Sequence, residues 1–397
     1  MTDVHLNDVG IVCALGCGRE QVAAALFAGH AGGLQWNERV LPGKKLMLGE
    51  VDHPLPTLQQ WPLALRGRNN ALLQLALTQI QPAVDQAIAR YGAGRVAVVV
   101  GTSTSGIGEA EQALQARADS GHWPPGFTYA QQEMGAPAQF VRASSGAAGP
   151  AWTLSTACSS SAKALMSAAR LLQMGLADAV IAGGADSLCR FTVTGFSALE
   201  AVSAERCNPF SVNRCGINIG EGAGLFLMTR ELGPVVLAGW GETSDAHHMS
   251  APDPTAAGAI AAIEQALARA GWDAGTVDYV NLHGTATGHN DAMESLAVQQ
   301  VLGGQVAVSS TKPLTGHTLG AAGAIEAALC WISLGENPQQ RLPPQWWDGQ
   351  ADPGLPALAW VAPGQRSEAP LQRVLSNSFA FGGSNAVLAL ARSTQPA

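Results

Sequence analysis

The sequence predicts a layered α/β fold in which sheets are covered by helices. Three observations carry this reading. Short β-branched runs alternate with alanine-rich stretches along the chain. Hydrophobic residues make up 47% and charged residues 13%, a balance that fits extensive burial and excludes disorder. A length of 397 residues leaves room for two packed units or one large domain. The 46 glycines follow no period, so they read as tight turns and close backbone approaches.

Arg95-Val-Ala-Val-Val-Val100 reads as a buried strand that leaves into the polar turn Gly101–Gly106. Ala177–Gly184 and Val277–Leu282 read the same way, and Ser161–Met174 and Ala256–Ala270 read as helices. The stretch Asn337–Gln365, rich in proline, tryptophan and glutamine, is expected to be a surface excursion. Core-like segments resume beyond it at Val374–Leu375 and Ala386–Leu390. The two halves show a coarse parallel of strand, turn with a reactive residue, and helix. Cys158 takes that place in the first half and His283 or His317 in the second.

A net charge of −8 disfavours nucleic acid as the main partner, although a local basic patch can still receive an acidic protein. The N-terminal stretch carries Asp3 and Asp8 and no basic run, which is a poor export signal. No window approaches the roughly 20 uninterrupted apolar residues of a membrane helix. The seven cysteines are scattered, and Cys13 and Cys17, the close pair, lack redox or zinc spacing. A reduced, cytoplasmic setting is expected.

Four segments carry chemistry. In Leu154-Ser-Thr-Ala-Cys158-Ser-Ser-Ser-Ala-Lys163, a strand-like segment ends in small residues and a helix begins just after the cysteine. A sulfur at a helix N-terminus is expected to favour thiolate over thiol. Taken alone, Cys158 reads equally as a small buried residue. In Asn281-Leu-His283-Gly-Thr285-Ala-Thr287-Gly-His289-Asn-Asp291-Ala-Met-Glu294, a strand delivers a histidine into a threonine-rich loop. A metal site of His283, His289 and Asp291 matches no common ligand spacing. In Ser309-Ser-Thr-Lys312-Pro-Leu-Thr-Gly-His317, followed by an alanine helix with Glu326, the lysine sits in an apolar setting. A buried ammonium needs a partner, and Glu326 is the candidate. The fourth segment, Phe379-Ala-Phe381-Gly-Gly-Ser-Asn385, reads as a glycine-rich turn that points backbone N–H groups into a cavity, or as an ordinary tight turn.

In this order the four segments resemble the β-ketoacyl-acyl-carrier-protein synthases, the decarboxylating condensing enzymes of the thiolase superfamily. The likeness extends to the Gly101-Thr-Ser turn, Gly183-Gly-Ala-Asp186-Ser and Gly220-Glu-Gly-Ala-Gly224. It implies a thiolase-like duplicated fold, layered α/β/α/β/α, with two mixed five-stranded sheets. Residues 1–232 would form the half carrying the nucleophile and residues 233–397 the half carrying the two histidines. It also implies that Cys158 takes an acyl group from the phosphopantetheine arm of an acyl carrier protein. His283 and His317 would then stabilise the carbanion left when a malonyl thioester loses carbon dioxide. By the same likeness Lys312 and Glu326 orient the histidine turn. Thr285 and Thr287 contact pantetheine, Phe381 gates the cavity, and the backbone amides of Cys158 and Phe381 form the oxyanion hole.

No metal or other cofactor is implied. The partners implied are the carrier protein and a second subunit, identical or related. Ala380 replaces a usual glycine before Phe381, so a stiffer gate is expected, and Gly288 replaces a common proline after Thr287. Asn208 stands where a basic residue often meets the carrier, which leaves Arg66, Arg68 and Arg206 as the carrier-binding candidates. The loop near Asp186 and Gly216–Gly220 is most similar to enzymes of specialised pathways such as aryl polyene synthesis. Two other functions compete. A chain-length-factor-like subunit lacks the nucleophile, whereas a thiolase needs a second, late cysteine, and this chain has none after Cys330.

Overall fold

In a computed structural model, residues 3–28 and 32–393 are described. The first half contributes five strands whose order across the sheet is Ala151–Leu154, Val96–Gly101, Ala179–Asp186, Gly222–Thr229, His5–Cys13. The first three run parallel and the last two pair antiparallel. The second half lays down Ala307–Ser309, Tyr279–Asn281, Arg373–Ala380, Ser384–Arg392 and Val235–Ser244 with the same mixture. Numbered by appearance within its half, each set has the order 3-2-4-5-1.

Three departures from separate five-stranded sheets are visible among the described residues, the first being the two-residue strand Gly16–Cys17, which pairs with His5–Cys13. The two-residue strand Ala359–Trp360 extends the second set beside Ala307–Ser309. His5 and Leu6 also pair with Val236 and Val235, so hydrogen bonding runs continuously from one set into the other.

The strands of each half are apolar on both faces because both faces are covered. Val96, Val98 and Val100 pack outward against the helix Arg68–Tyr91. The alternate residues Ala97 and Val99 turn inward to the helices Ser160–Gln173 and Ala322–Gly335. Those two inner helices form the middle layer and pack against each other. Ala257–Ala270 and Gly288–Leu302 cover the outer face of the second half. The succession is helix, sheet, helix, sheet, helix. Among the described residues no helix is long and apolar enough to cross a membrane.

The excursion over residues 337–365 differs from its expected surface position. Leu342 and Gln345 are buried, and Gln345 accepts a hydrogen bond from Ser310 N at 2.8 Å while donating to Pro209 O at 3.0 Å. Its amide satisfies backbone groups behind the Lys312 turn, which a surface loop could not do.

Gly101 ends the strand Val96–Gly101 where it meets the first turn of Ser160–Gln173. A Cβ there would stand 2.3 Å from Ser161 N and 2.5 Å from Ser160 C. Gly101→Ala is therefore expected to destabilise the protein by about 2–3 kcal/mol, as overpacking does. Urea unfolding measures this, and an unchanged midpoint would contradict the close packing of strand on helix.

Candidate active site

The strand Ala151–Leu154 delivers Cys158 through a sharp bend. Ala157 adopts φ +51°, a left-handed conformation that costs a non-glycine residue about 1–2 kcal/mol. Serine hydroxyls hold the bend: Ser160 Oγ accepts from Thr156 N at 2.8 Å and donates to Ala157 O at 2.6 Å. Cys158 is 5% exposed and lies two residues before the helix starts. Burial pushes its thiol up to about 12, against the Lys312 charge and a hydrogen bond from the Phe381 backbone N–H. The resting sulfur is a thiol, which corrects the thiolate expected from the helix start. Burial is the largest cause of the shift.

His283 leaves the strand Tyr279–Asn281 with its backbone gripped by a carboxylate. The two oxygens of buried Glu294 accept from His283 N and Gly284 N, each at 2.7 Å. Asn377 Nδ2 donates to the same carboxylate at 3.1 Å. Lys312, 1% exposed, forms an ion pair with Glu326 and lies 3.4 Å from His283 Nδ1. An ammonium only donates, so Nδ1 accepts and the imidazole proton sits on Nε2. His317 is set by pairing with the chain before Gly220: its N donates to Asn218 O at 2.7 Å and its O accepts from Gly220 N at 2.9 Å. Burial first, then Lys312, holds both imidazoles well below the usual histidine range, and His317 also lowers His283. Both rings are neutral.

The three side chains converge. His317 Nε2 lies 3.0 Å from Cys158 Sγ, and the imidazole centroids are 5.3 Å apart at 84°. They line one end of a cavity of about 650 Å³, with Thr285, Thr287 and Phe381 also in its walls. The hydroxyls of Thr285 and Thr287 bond each other at 2.9 Å, and Ala286 between them has φ +61°. Phe381 packs at 5.5 Å on Phe196. Ala380 has φ −98° and ψ 156°, an extended conformation in which alanine is unstrained.

One sulfur and one nitrogen of each histidine lie within 4.8 Å of one another, and these atom types suit a soft cation. The Lys312 ammonium beside His283 opposes a further positive charge there. His289 is exposed, whereas buried Asp291 accepts from Phe210 N at 2.7 Å. Those two do not join His283 in a ligand cluster among the described residues.

The three arginines differ from a shared basic patch. Arg68 turns inward to the fully buried Glu221, with Nε at 2.7 Å from Oε2. Glu221 also accepts from Leu188 N and Val51 N at 3.1 Å. Arg206 is half-buried and donates to Pro313 O, behind the Lys312 turn. Arg66, nearer solvent, donates to Trp61 O at 2.8 Å and Gln59 Oε1 at 3.0 Å.

Sequence reasoning gave no role to Glu294 or Asp186, although both lay in the quoted motifs. The available signal is an acid in a small or apolar context, since a buried carboxylate must collect donors. Lys163 also went unassigned; its Nζ donates to Ser384 Oγ at 2.7 Å, which ties the helix after Cys158 to the turn after Phe381.

Two family models match the chain: the β-ketoacyl synthase N-terminal domain over residues 49–232 and the β-ketoacyl synthase C-terminal domain over 235–345. The chain belongs to the β-ketoacyl synthase family. Nodulation protein E of Rhizobium meliloti (strain 1021) is 31% identical over 401 residues, covering 97% of this chain and 98% of that protein. The 3-oxoacyl-[acyl-carrier-protein] synthase 2 of the same strain is 36% identical over 265 residues, and the chain spans only 62% of its length, as the match does of this chain. A solved complex of a ketosynthase with its chain length factor from Xenorhabdus doucetiae contains a chain 46% identical to this synthase. Its TM-score is 0.93, with 99% of this chain and 98% of that chain covered. The fold is the thiolase-like layered fold of ketosynthases.

Lys312→Met is expected to lose about 3–5 kcal/mol, because Glu326 is left charged and buried without its partner. Lys312→Met with Glu326→Met should recover most of that loss in chemical denaturation. In the double variant the cation that lowers both imidazoles is gone, so His283 and His317 should titrate at higher pH by NMR than in the parent. Unmoved titrations would remove Lys312 as their electrostatic partner.

Proposed function

We propose that this synthase catalyses decarboxylative Claisen condensation of an acyl group on Cys158 with a malonyl-acyl-carrier protein. The observation that carries the proposal is the convergence of a thiol and two neutral imidazoles, with His317 Nε2 at 3.0 Å from Cys158 Sγ. In the first step Cys158 Sγ attacks the acyl thioester, and its proton goes to the departing pantetheine sulfur. His317 Nε2, 3.0 Å from the sulfur, holds the developing thiolate. The backbone N–H groups of Cys158 and Phe381 receive the tetrahedral oxyanion.

In the second step the malonyl carboxylate leaves as carbon dioxide and its electron pair passes into an enolate. Nε2–H of His283, fixed by Lys312, donates to the enolate oxygen, joined by His317 in its Nε2–H tautomer. The enolate carbon attacks the Cys158 thioester, and collapse expels the sulfur, which takes a proton from solvent. Glu326 holds Lys312, Thr285 and Thr287 contact the pantetheine arm, and Phe381 gates the cavity. The arm belongs to the carrier protein, so no separate cofactor is invoked.

The chain is read as two thiolase-like halves, 1–232 and 233–397, acting in the cytoplasm. Its product is a β-ketoacyl carrier thioester of fatty-acid or aryl-polyene-type synthesis. The partner is a second copy or a related subunit. The half-exposed strand Ala151–Leu154 ends the first set of strands, and the likeness to the Xenorhabdus doucetiae complex supports a chain-length-factor-like occupant of that edge. Arg66 remains the carrier contact of choice, since Arg68 and Arg206 hold interior groups. An intact Cys158 weighs against a non-catalytic subunit, and the lack of a late cysteine weighs against a thiolase.

Cys158→Ala is expected to abolish acyl loading from a panel of acyl carrier thioesters, read by intact mass, with the fold retained. Loading on that variant would refute the nucleophile. His283→Ala should slow carbon dioxide release from malonyl carrier protein by about 10²–10³-fold, the size of a lost oxyanion donor. Release at the parent rate would end its assigned role.

A further inference from the structure

Among the buried groups that this chemistry leaves unused, one carboxylate stands out by the number of donors it collects. Asp186 is wholly buried at the end of the strand Ala179–Asp186. Its Oδ1 accepts from Thr102 Oγ1 at 2.6 Å, Ser103 N at 2.8 Å, Thr104 N at 3.0 Å and Thr104 Oγ1 at 2.9 Å. Its Oδ2 accepts from Ser103 Oγ and, at 2.6 Å, from Gly320 N. These six donors are all uncharged. Five come from the turn after the strand Val96–Gly101. The sixth comes from the second half, three residues beyond His317.

That sixth contact falls where the chain has least freedom. Leu319, between His317 and Gly320, adopts φ +51°, a conformation that persists in a leucine only when its surroundings impose it. Gly320 lies so close to the turn that a Cβ would stand 2.6 Å from Ser103 N and 2.9 Å from Asp186 Oδ2. On its N-terminal side His317 is already fixed by pairing with Asn218 and Gly220. On its C-terminal side the grip of Asp186 on Gly320 N closes the bracket.

We propose that Asp186 is a positioning residue for the condensation: by tying the Thr102–Thr104 turn to Gly320, its carboxylate sets the approach of the His317 imidazole to the Cys158 sulfur. The idea rests on the condensing reading of the site. The negative charge has a second effect, since it lies within range of Cys158 and helps to hold the sulfur as a thiol. It opposes Lys312 and acts in the same direction as Glu326 on the sulfur.

The test uses Asp186→Asn and, as a milder change, Ser103→Ala, which deletes one hydroxyl donor to Oδ2. Two readouts are taken on the full chain. The first is steady-state condensation of acyl and malonyl carrier thioesters. The second is the pH profile of iodoacetamide alkylation at Cys158, followed by mass spectrometry of its peptide. Asp186→Asn should lower kcat by roughly 30–100-fold with KM for the malonyl thioester within about twofold, because misplacing a catalytic group by about 1 Å costs about that much. Its alkylation profile should move to lower pH as the neighbouring anion is lost.

Ser103→Ala should lower kcat by about three- to tenfold in the same pattern, and it decides the matter if Asp186→Asn fails to fold. Parent-like kcat and an unmoved profile in a folded variant would overturn the proposal. So would a rise in KM with kcat unchanged, which would place Asp186 in substrate binding instead. If the parent enzyme itself fails to condense these thioesters, the condensing reading falls. The alkylation profile still judges the effect of Asp186 on the sulfur.

Discussion

Lys312 keeps its ammonium inside the protein, 1% exposed, because Glu326 meets it there and the His283 ring accepts beside it. Removing a charge from water is unfavourable by several kcal/mol unless it is paired and hydrogen-bonded, so the surrounding residues are constrained to keep this arrangement intact. The consequences radiate outward. The charge fixes which nitrogen of His283 carries a proton, adds to burial in keeping both imidazoles neutral and partly offsets the burial of Cys158. The proposed condensation needs donors that are not themselves cations, and burial together with one buried cation beside the rings fits that need.

Around this charge the scaffold is held by carboxylates that grip backbone N–H groups. Glu294 holds the N–H groups of His283 and Gly284, and Glu221 holds those of Val51 and Leu188 besides Arg68. Such contacts fix where a turn begins, and through it where a side chain points. They also allow left-handed residues at Ala157, Ala286 and Leu319, each within two residues of a group in the cavity. Local strain of this kind is stable only inside a frame that is otherwise over-determined.

What the sequence discloses follows from what is local. The valine run ending at Gly101 is legible as a doubly covered strand because its residues have no polar face, and Ser160–Gln173 is legible from its alanine-rich pattern. The meeting of Cys158, His283 and His317 is legible only through the four motifs together, since 159 residues separate the sulfur from the His317 ring it touches. The inward turn of Arg68 is not legible, because it depends on where Glu221, 153 residues later, comes to rest. Nor is the resting state of the sulfur: the helix start is visible in the residues, whereas the burial that pushes its thiol up is a property of the assembled layers. Gln345 stayed hidden for the same reason, since a proline- and tryptophan-rich segment carries no periodicity to mark the one amide that goes inside.

The strand Ala151–Leu154 closes the first set of strands on its outer side and runs, four residues on, into Cys158. Its free edge and the reacting atom therefore belong to one short, taut piece of backbone. A neighbouring molecule that completes the edge would brace the very bend that presents the sulfur. Under the proposed function, a change of companion at this edge would be felt as a change in how Cys158 is held.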